Sequence, residues 1–189
     1  MAEHVILFTG PMGAGKSTAI QALSEIEVVR TEANNSERHI VDKATTTVAL
    51  DYGEIRLDGE EKVRLYGVPG QKRFSFMWGI LKKRAKGMIL LVNSDAPDPI
   101  AELLYFIDEF RELYDRGGVV VGISRSDLVS GPTVAQYSEA LQRTNPELLI
   151  PVFTVDPRDH DQMENVLLTL VANIEMRAAF GLLTAEAAV

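Results

Sequence analysis

The chain has 189 residues, of which 46% are hydrophobic, so it can bury a large core and is not a disordered chain. Lys and Arg number 19 against 27 Asp and Glu, and the resulting net charge of −8 argues against binding nucleic acid through bulk charge. Because cysteine is absent, disulfide frameworks, thiolate metal sites and cysteine nucleophiles are excluded. We expect one domain spanning residues 1–189, with no nucleic acid partner.

Apolar, β-rich runs alternate with helical patterns, which predicts a mostly parallel sheet covered by helices on both faces. The run 47–57 differs, because its apolar residues lie among polar ones and Asp58-Gly59 then supplies a turn. This predicts an antiparallel hairpin at the rim of a six-stranded sheet, with one antiparallel edge strand. The predicted strands are Val5–Thr9, Thr47–Leu57, Lys62–Gly67, Met88–Asn93, Val119–Ser124 and Pro151–Val155, and the predicted helices are Lys16–Leu23, Arg73–Ala85, Ile100–Tyr114, Val134–Gln142 and Gln162–Phe180.

The apolar runs are too short to cross a membrane. Val5–Phe8 and Met88–Val92 have the length of a strand, far below the roughly 20 residues that a spanning helix needs. The start of the chain, Met1–His4, has neither the basic character of a secretory signal nor the Met-Gly of a myristoylation site. We expect a cytoplasmic protein without a direct membrane anchor.

Residues 10–17 read Gly-Pro-Met-Gly-Ala-Gly-Lys-Ser directly after the first predicted strand, and they match Gly-x-x-x-x-Gly-Lys-Ser. Glycines let the loop curl its N–H groups around phosphates, and the following helix adds the positive end of its dipole. Lys16 neutralises the outer phosphates and the Ser17 hydroxyl ligates Mg²⁺. This predicts a three-layer P-loop NTPase fold, with the nucleotide phosphates held by Gly10, Gly13, Ala14, Gly15, Lys16, Ser17 and Thr18.

A phosphate-binding loop does not specify the chemistry. The same loop is reminiscent of small-molecule kinases such as shikimate kinase, which need an arginine-bearing lid and a substrate-binding carboxylate after the second strand. Here a hairpin and Pro69-Gly70-Gln71 occupy that part of the chain. A P-loop kinase or ATPase stays an alternative.

Two further segments resemble the small Ras-like GTPases: Thr45–Gly53 is similar to their switch I and the following strand, and Pro69-Gly70-Gln71 to their switch II. Gly67-Val68-Pro69-Gly70 in place of Asp-x-x-Gly more narrowly resembles the bacterial MglA-like GTPases. The resemblance implies that Thr47 ligates Mg²⁺, that the Gly70 N–H contacts the γ-phosphate and that Gln71 positions the attacking water, so Gln71, Lys16 and Thr47 form the predicted catalytic set.

The chain departs from the family at Gly67. Ras-like GTPases carry an aspartate at this position, and its carboxylate holds a magnesium-bound water. The sequence offers no replacement ligand. MglA-like proteins also use a switch I arginine, for which Arg38 and Lys43 are the nearest candidates.

Ser124-Arg125-Ser126-Asp127 stands at the position of the family's Asn-Lys-x-Asp. A carboxylate at Asp127 can accept both N1–H and the 2-amino group of guanine, whereas adenine would leave it unpaired, and such polar matching discriminates by ~10⁴ or more. The head of Arg125 can lie over the base. The family's Ser-Ala-Lys, whose main-chain N–H contacts the guanine carbonyl, falls at 155–158. Asp156 is predicted to contact the nucleotide, but Pro157 has no N–H to donate.

The sequence thus predicts a GTP-binding switch that takes GTP or GDP with Mg²⁺ and hydrolyses GTP slowly. The resemblance implies a roadblock-type regulatory protein and effectors that bind the switch regions. A non-hydrolysing, nucleotide-loaded interaction module is a further alternative, motivated by Gly67.

Overall fold

The computed structural model describes residues 3–30, 50–57, 61–70 and 75–186. Thr47, Gln71, Arg38 and Lys43 lie outside these ranges. In chain order the elements are β1 (Glu3–Thr9), α1 (Lys16–Leu23), β2 (Val29–Arg30), β3 (Asp51–Leu57), β4 (Glu61–Gly67), α2 (Ser75–Arg84), β5 (Gly87–Asn93), α3 (Pro99–Glu109), α4 (Arg111–Asp115), β6 (Val119–Ser124), α5 (Val134–Thr144), β7 (Val152–Thr154) and α6 (His160–Glu186).

The strands form one sheet in the order β2-β3-β4-β1-β5-β6-β7. β1 pairs in parallel with β4 and β5, and β6 pairs in parallel with β5 and β7. β3 runs antiparallel to β4 and to β2. The predicted fold class is therefore confirmed. In addition to the six predicted strands, the sheet has the 2-residue strand β2, which lies at its edge beside β3.

The sheet is buried from both sides. Every residue of β5 and β6 is buried, because helices cover both faces of these central parallel strands. One core contains Leu7, Leu90 and Val121 together with side chains from α2 to α5. The other contains Phe8, Ile89 and Val120 with side chains from α1 and α6. Neighbouring residues of one strand thus enter opposite cores, as strand geometry requires.

Two predicted helices differ most from the helices observed. The segment predicted as Ile100–Tyr114 is divided at Phe110, whose backbone leaves the helical region (φ −111°, ψ 33°) and whose side chain is fully buried. The last helix does not end at Phe180 but runs through Gly181 to Glu186. None of the helices in the described ranges is both long and apolar enough to cross a bilayer.

Trp78 joins α2 to the core and to the segment after β4. Its ring is fully buried 5.4 Å from the ring of Phe110 and 5.9 Å from that of Phe106. Its Nε1 donates to the Pro69 carbonyl at 3.2 Å, so one side chain fixes both the helix and the residue before Gly70.

Trp78→Ala is expected to lower the free energy of unfolding by about 3–5 kcal/mol, because it leaves a cavity in the core. Trp78→Phe should cost less, since it keeps a ring and loses the bond to Pro69. Urea denaturation followed by circular dichroism measures both changes. Leu149→Ala is the control, because Leu149 is 77% exposed and should change stability by no more than about 0.5 kcal/mol. Equal effects of Trp78→Ala and Leu149→Ala would contradict this packing.

Candidate functional site

The loop between β1 and α1 adopts a conformation that side chains other than glycine rarely accept. Gly10, Gly13 and Gly15 have φ values of 132°, 80° and 93°. A Cβ added to Gly15 would lie 2.5 Å from Cγ of Pro157, so the loop after β7 packs directly on the loop before α1. The glycines therefore permit both the curl of the phosphate-binding loop and its contact with the far side of the site.

The Lys16 side chain folds back onto the backbone of this loop. Its Nζ donates to the Gly10 carbonyl at 2.9 Å and to the Pro11 carbonyl at 2.6 Å. Burial lowers the pKa of Lys16 to about 8, and the nearby charge of Asp51 offsets part of this effect. Anionic oxygens beside the ammonium would stabilise its charged form.

Asp51 was not predicted as a site residue, yet it lies beside Ser17. The Ser17 hydroxyl donates to Oδ2 of Asp51, which is the first residue of β3. Asp51 pairs with Gly67 across the antiparallel ladder. A Cβ on Gly67 would lie 3.0 Å from Cβ and 3.1 Å from Oδ2 of Asp51. The carboxylate thus fills the space beside the position where Ras-like proteins carry the switch II aspartate.

The oxygen atoms of Ser17 and Asp51 suit a magnesium ion. Mg²⁺ prefers hydroxyl, carboxylate and water oxygens and is commonly held by one or two protein groups plus phosphates. Because the hydroxyl and carboxylate already meet beside the phosphate-binding loop, the residues present fit the ion. Thr47, which was predicted as a ligand together with Ser17, lies outside the described residues.

Gly70 packs against the backbone at the start of the phosphate-binding loop. A Cβ at this position would lie 2.4 Å from the Gly10 carbonyl oxygen and 2.9 Å from the Met12 nitrogen. Only glycine lets the backbone approach this closely, and the Trp78 bond to Pro69 holds the adjoining residue. Gln71, the next residue, lies outside the described ranges.

A cleft of about 740 Å³ runs from the phosphate-binding loop to the loops after β6 and β7. Arg125 spans it: Nη2 donates to the Gly13 carbonyl at 3.0 Å, and Nη1 lies 3.0 Å from Oδ2 of Asp95. Arg125 also has a positive φ of 59°, so the backbone turns sharply at the end of β6. The bond to Gly13 thus joins the loop after β6 to the phosphate-binding loop.

Asp127 and Asp156 lie on the walls of the same cleft. Asp127 is exposed. The Asp156 carboxylate accepts hydrogen bonds from the side chain and backbone of Arg158, which lower its pKa to about 2. Asp156 is therefore ionised across the physiological range and already bound to Arg158. Ser124 has its hydroxyl buried and donates to the Val92 carbonyl at 3.2 Å.

Most of the predicted residues meet in one place. The cleft itself is lined by Gly13, Ala14, Gly15, Thr18, Arg125, Asp127 and Asp156. Gly10, Lys16 and Ser17 lie in and after the adjoining loop, and Gly70 packs on its back.

Comparison with known proteins finds similarity over most of the chain. The profile of a family described as "conserved hypothetical ATP binding protein" matches residues 26–185, so the match begins after the phosphate-binding loop. Intraflagellar transport protein 22 from Chlamydomonas reinhardtii is 26% identical over 128 residues. That alignment covers 65% of this chain and 64% of the relative, a little under two thirds of its length. By the extent of the family match, the chain belongs to this family of P-loop nucleotide-binding proteins.

Proposed function

We propose that residues 1–189 form one guanine-nucleotide switch domain, which binds GTP or GDP with Mg²⁺ and hydrolyses GTP slowly. One observation carries the proposal: the carboxylate-bearing loop of Asp127 and the phosphate-binding loop line the same cleft, with Arg125 bonded between them. A ligand that fills this cleft therefore meets phosphate donors at one end and a base-selective acceptor at the other.

The base end favours guanine, although the family is described by ATP binding. Asp127 can accept two hydrogen bonds from guanine, at N1–H and the 2-amino group. Adenine has neither donor there, and an unpaired carboxylate beside the base would cost binding energy. The ATP-binding alternative would require another residue to satisfy adenine.

The residues at the phosphate end divide the work of hydrolysis. Lys16 neutralises charge on the outer phosphates, and the Gly70 N–H donates to the γ-phosphate. Ser17, Asp51 and Thr47 would hold Mg²⁺, which neutralises charge as the terminal phosphate leaves. Gln71 orients the attacking water. The same Thr47 and Gly70 contacts are lost when the γ-phosphate leaves, which makes the chain a switch.

Protein partners would bind the switch regions according to which nucleotide is bound. The MglA-like resemblance supports a roadblock-type regulator and effectors on the switch regions, with Arg38 or Lys43 supplying a catalytic cation. The Chlamydomonas relative is named for intraflagellar transport, which supports a role within a protein assembly. The non-hydrolysing alternative rested on the missing aspartate at Gly67, and Asp51 weakens that reason.

Gln71→Leu is expected to lower GTP hydrolysis by at least about tenfold without weakening GDP binding, because leucine cannot orient water. Single-turnover phosphate release with GTP and with ATP measures the effect. Gln142→Leu, at an exposed position of α5, is the matched control and should behave as the unaltered chain does. Equal, negligible GTP hydrolysis by the parent chain and Gln71→Leu would favour the interaction module, and hydrolysis of ATP alone would favour an ATPase.

Asp51→Asn should raise the Mg²⁺ concentration that half-maximally slows GDP release by about 10–100-fold, the usual cost of losing a group that orients a metal site. Fluorescent GDP release across a magnesium titration measures it. Asp115→Asn, an exposed change on α4, is the control.

A double variant makes the Asp51 test specific. The double variant Asp51→Gly with Gly67→Asp exchanges the two residues of this cross-strand pair. The carboxylate then comes from β4, and glycine stands opposite it on β3. The double variant should recover part of the magnesium response that Asp51→Asn loses. An Asp51→Asn variant with an unchanged magnesium response would remove Asp51 from the metal site.

A further inference from the structure

The loop after β7 forms one wall of the base end of the cleft but has no backbone donor to offer. Val155 donates its N–H to the Ile123 carbonyl at 2.9 Å and Asp156 donates to Oε1 of Gln162 at 2.9 Å. Pro157 has no N–H, and Arg158 donates its own to Oδ1 of Asp156 at 2.9 Å. A base that presents an acceptor to this wall must find its donor on a side chain.

Arg158 is a charged side chain in position to supply it. Its Nε lies 2.9 Å and 3.1 Å from the two Asp156 carboxylate oxygens, and its Nη2 lies 2.7 Å from Oδ2. This two-point contact fixes the plane of the guanidinium. Nη1 makes no hydrogen bond within the described ranges, and Arg158 lines the cleft with Asp127. The side chain is 78% exposed, so a ligand can reach it.

The cation of Arg158 and the carboxylate of Asp127 match the acceptor and donors on one edge of guanine. The hydrogen bonds to Asp156, the charge of Asp156 and, more weakly, the charge of Asp127 raise the pKa of Arg158. A fixed cation therefore lies within electrostatic range of the exposed Asp127 carboxylate. Guanine has an acceptor at O6 directly beside the donors at N1 and the 2-amino group. Adenine carries an amino group at the six position, and a hydrogen-bond donor there would face the Arg158 cation unfavourably.

Resting on the proposed function, we propose that Arg158 determines base specificity: Nη1 donates to the six-position oxygen of the base, in place of the backbone N–H that Pro157 lacks. Asp156 is its positioning residue, because it holds the guanidinium by Nε and Nη2 and leaves Nη1 available to a ligand.

The test compares nucleotides that differ at one atom. In 6-thio-GDP a sulfur, which is a weak acceptor, replaces O6, whereas IDP keeps O6 and lacks the 2-amino group. Arg158→Ala should weaken GDP binding by about tenfold or more, the usual effect of losing a hydrogen bond to a charged group, and should leave 6-thio-GDP binding nearly unchanged. The ratio of GDP to IDP affinity, which reports Asp127, should stay as in the unaltered chain.

Calorimetric titration of the full, nucleotide-free chain gives all three affinities. Arg143→Ala is the matched control, since Arg143 is also exposed and ion-paired with a carboxylate, that of Glu139 at 2.6 Å, but lies on α5. Equal loss of GDP and 6-thio-GDP affinity in Arg158→Ala, or no loss of either, would overturn the role of Arg158. Failure of the unaltered chain to bind any guanine nucleotide would instead overturn the proposed function.

Discussion

The contact between Asp51 and Ser17 depends on a glycine in the facing strand. Because Gly67 has no Cβ, the Asp51 side chain can lie across it, within 3.1 Å of where that Cβ would be. This places a carboxylate beside the hydroxyl that follows Lys16. The ion and phosphate chemistry that we propose needs such a carboxylate, and here it comes from the antiparallel strand rather than from the end of β4.

The register of the hairpin decides whether this contact exists. In the observed pairing Leu57 lies opposite Glu61, and Asp51 therefore lies opposite Gly67. A two-residue turn at Asp58-Gly59 would shift the pairing by one residue and place Asp51 opposite Tyr66, on the other face of the sheet. The sequence indicates the hairpin through its alternation and its turn residues, but it does not fix the length of the turn. That is why the strand was predicted and the role of Asp51 was not.

Features with strong local signals were predictable. The phosphate-binding loop and α1 follow from residues 10–17 alone, and the central strands follow from apolar runs buried on both faces. Features decided by tertiary packing were not. The division of the third predicted helix follows from the burial of Phe110 against Trp78. The position of Arg158 at the cleft follows from where the loop after β7 lies, which brings Arg158 to the same wall as Asp127. Asp127 was predicted as a candidate base-binding residue because residues 124–127 follow a strand at the position of the Asn-Lys-x-Asp of Ras-like GTPases, and its role stays a prediction.

The chain is acidic overall, with a net charge of −8, and the arginines of its site are each paired with a carboxylate. Lys16 lies within the phosphate-binding loop, and Arg125 and Arg158 line the cleft in ion pairs with Asp95 and Asp156. These pairs leave the site with local donors rather than a broad basic surface, so binding depends on fitting the cleft and not on bulk attraction. Calorimetric titration of the nucleotide-free chain with GDP and ADP in magnesium tests guanine recognition most directly. Recognition by Asp127 predicts that GDP binds at least about a hundredfold more tightly than ADP, and equal affinities for the two would contradict it.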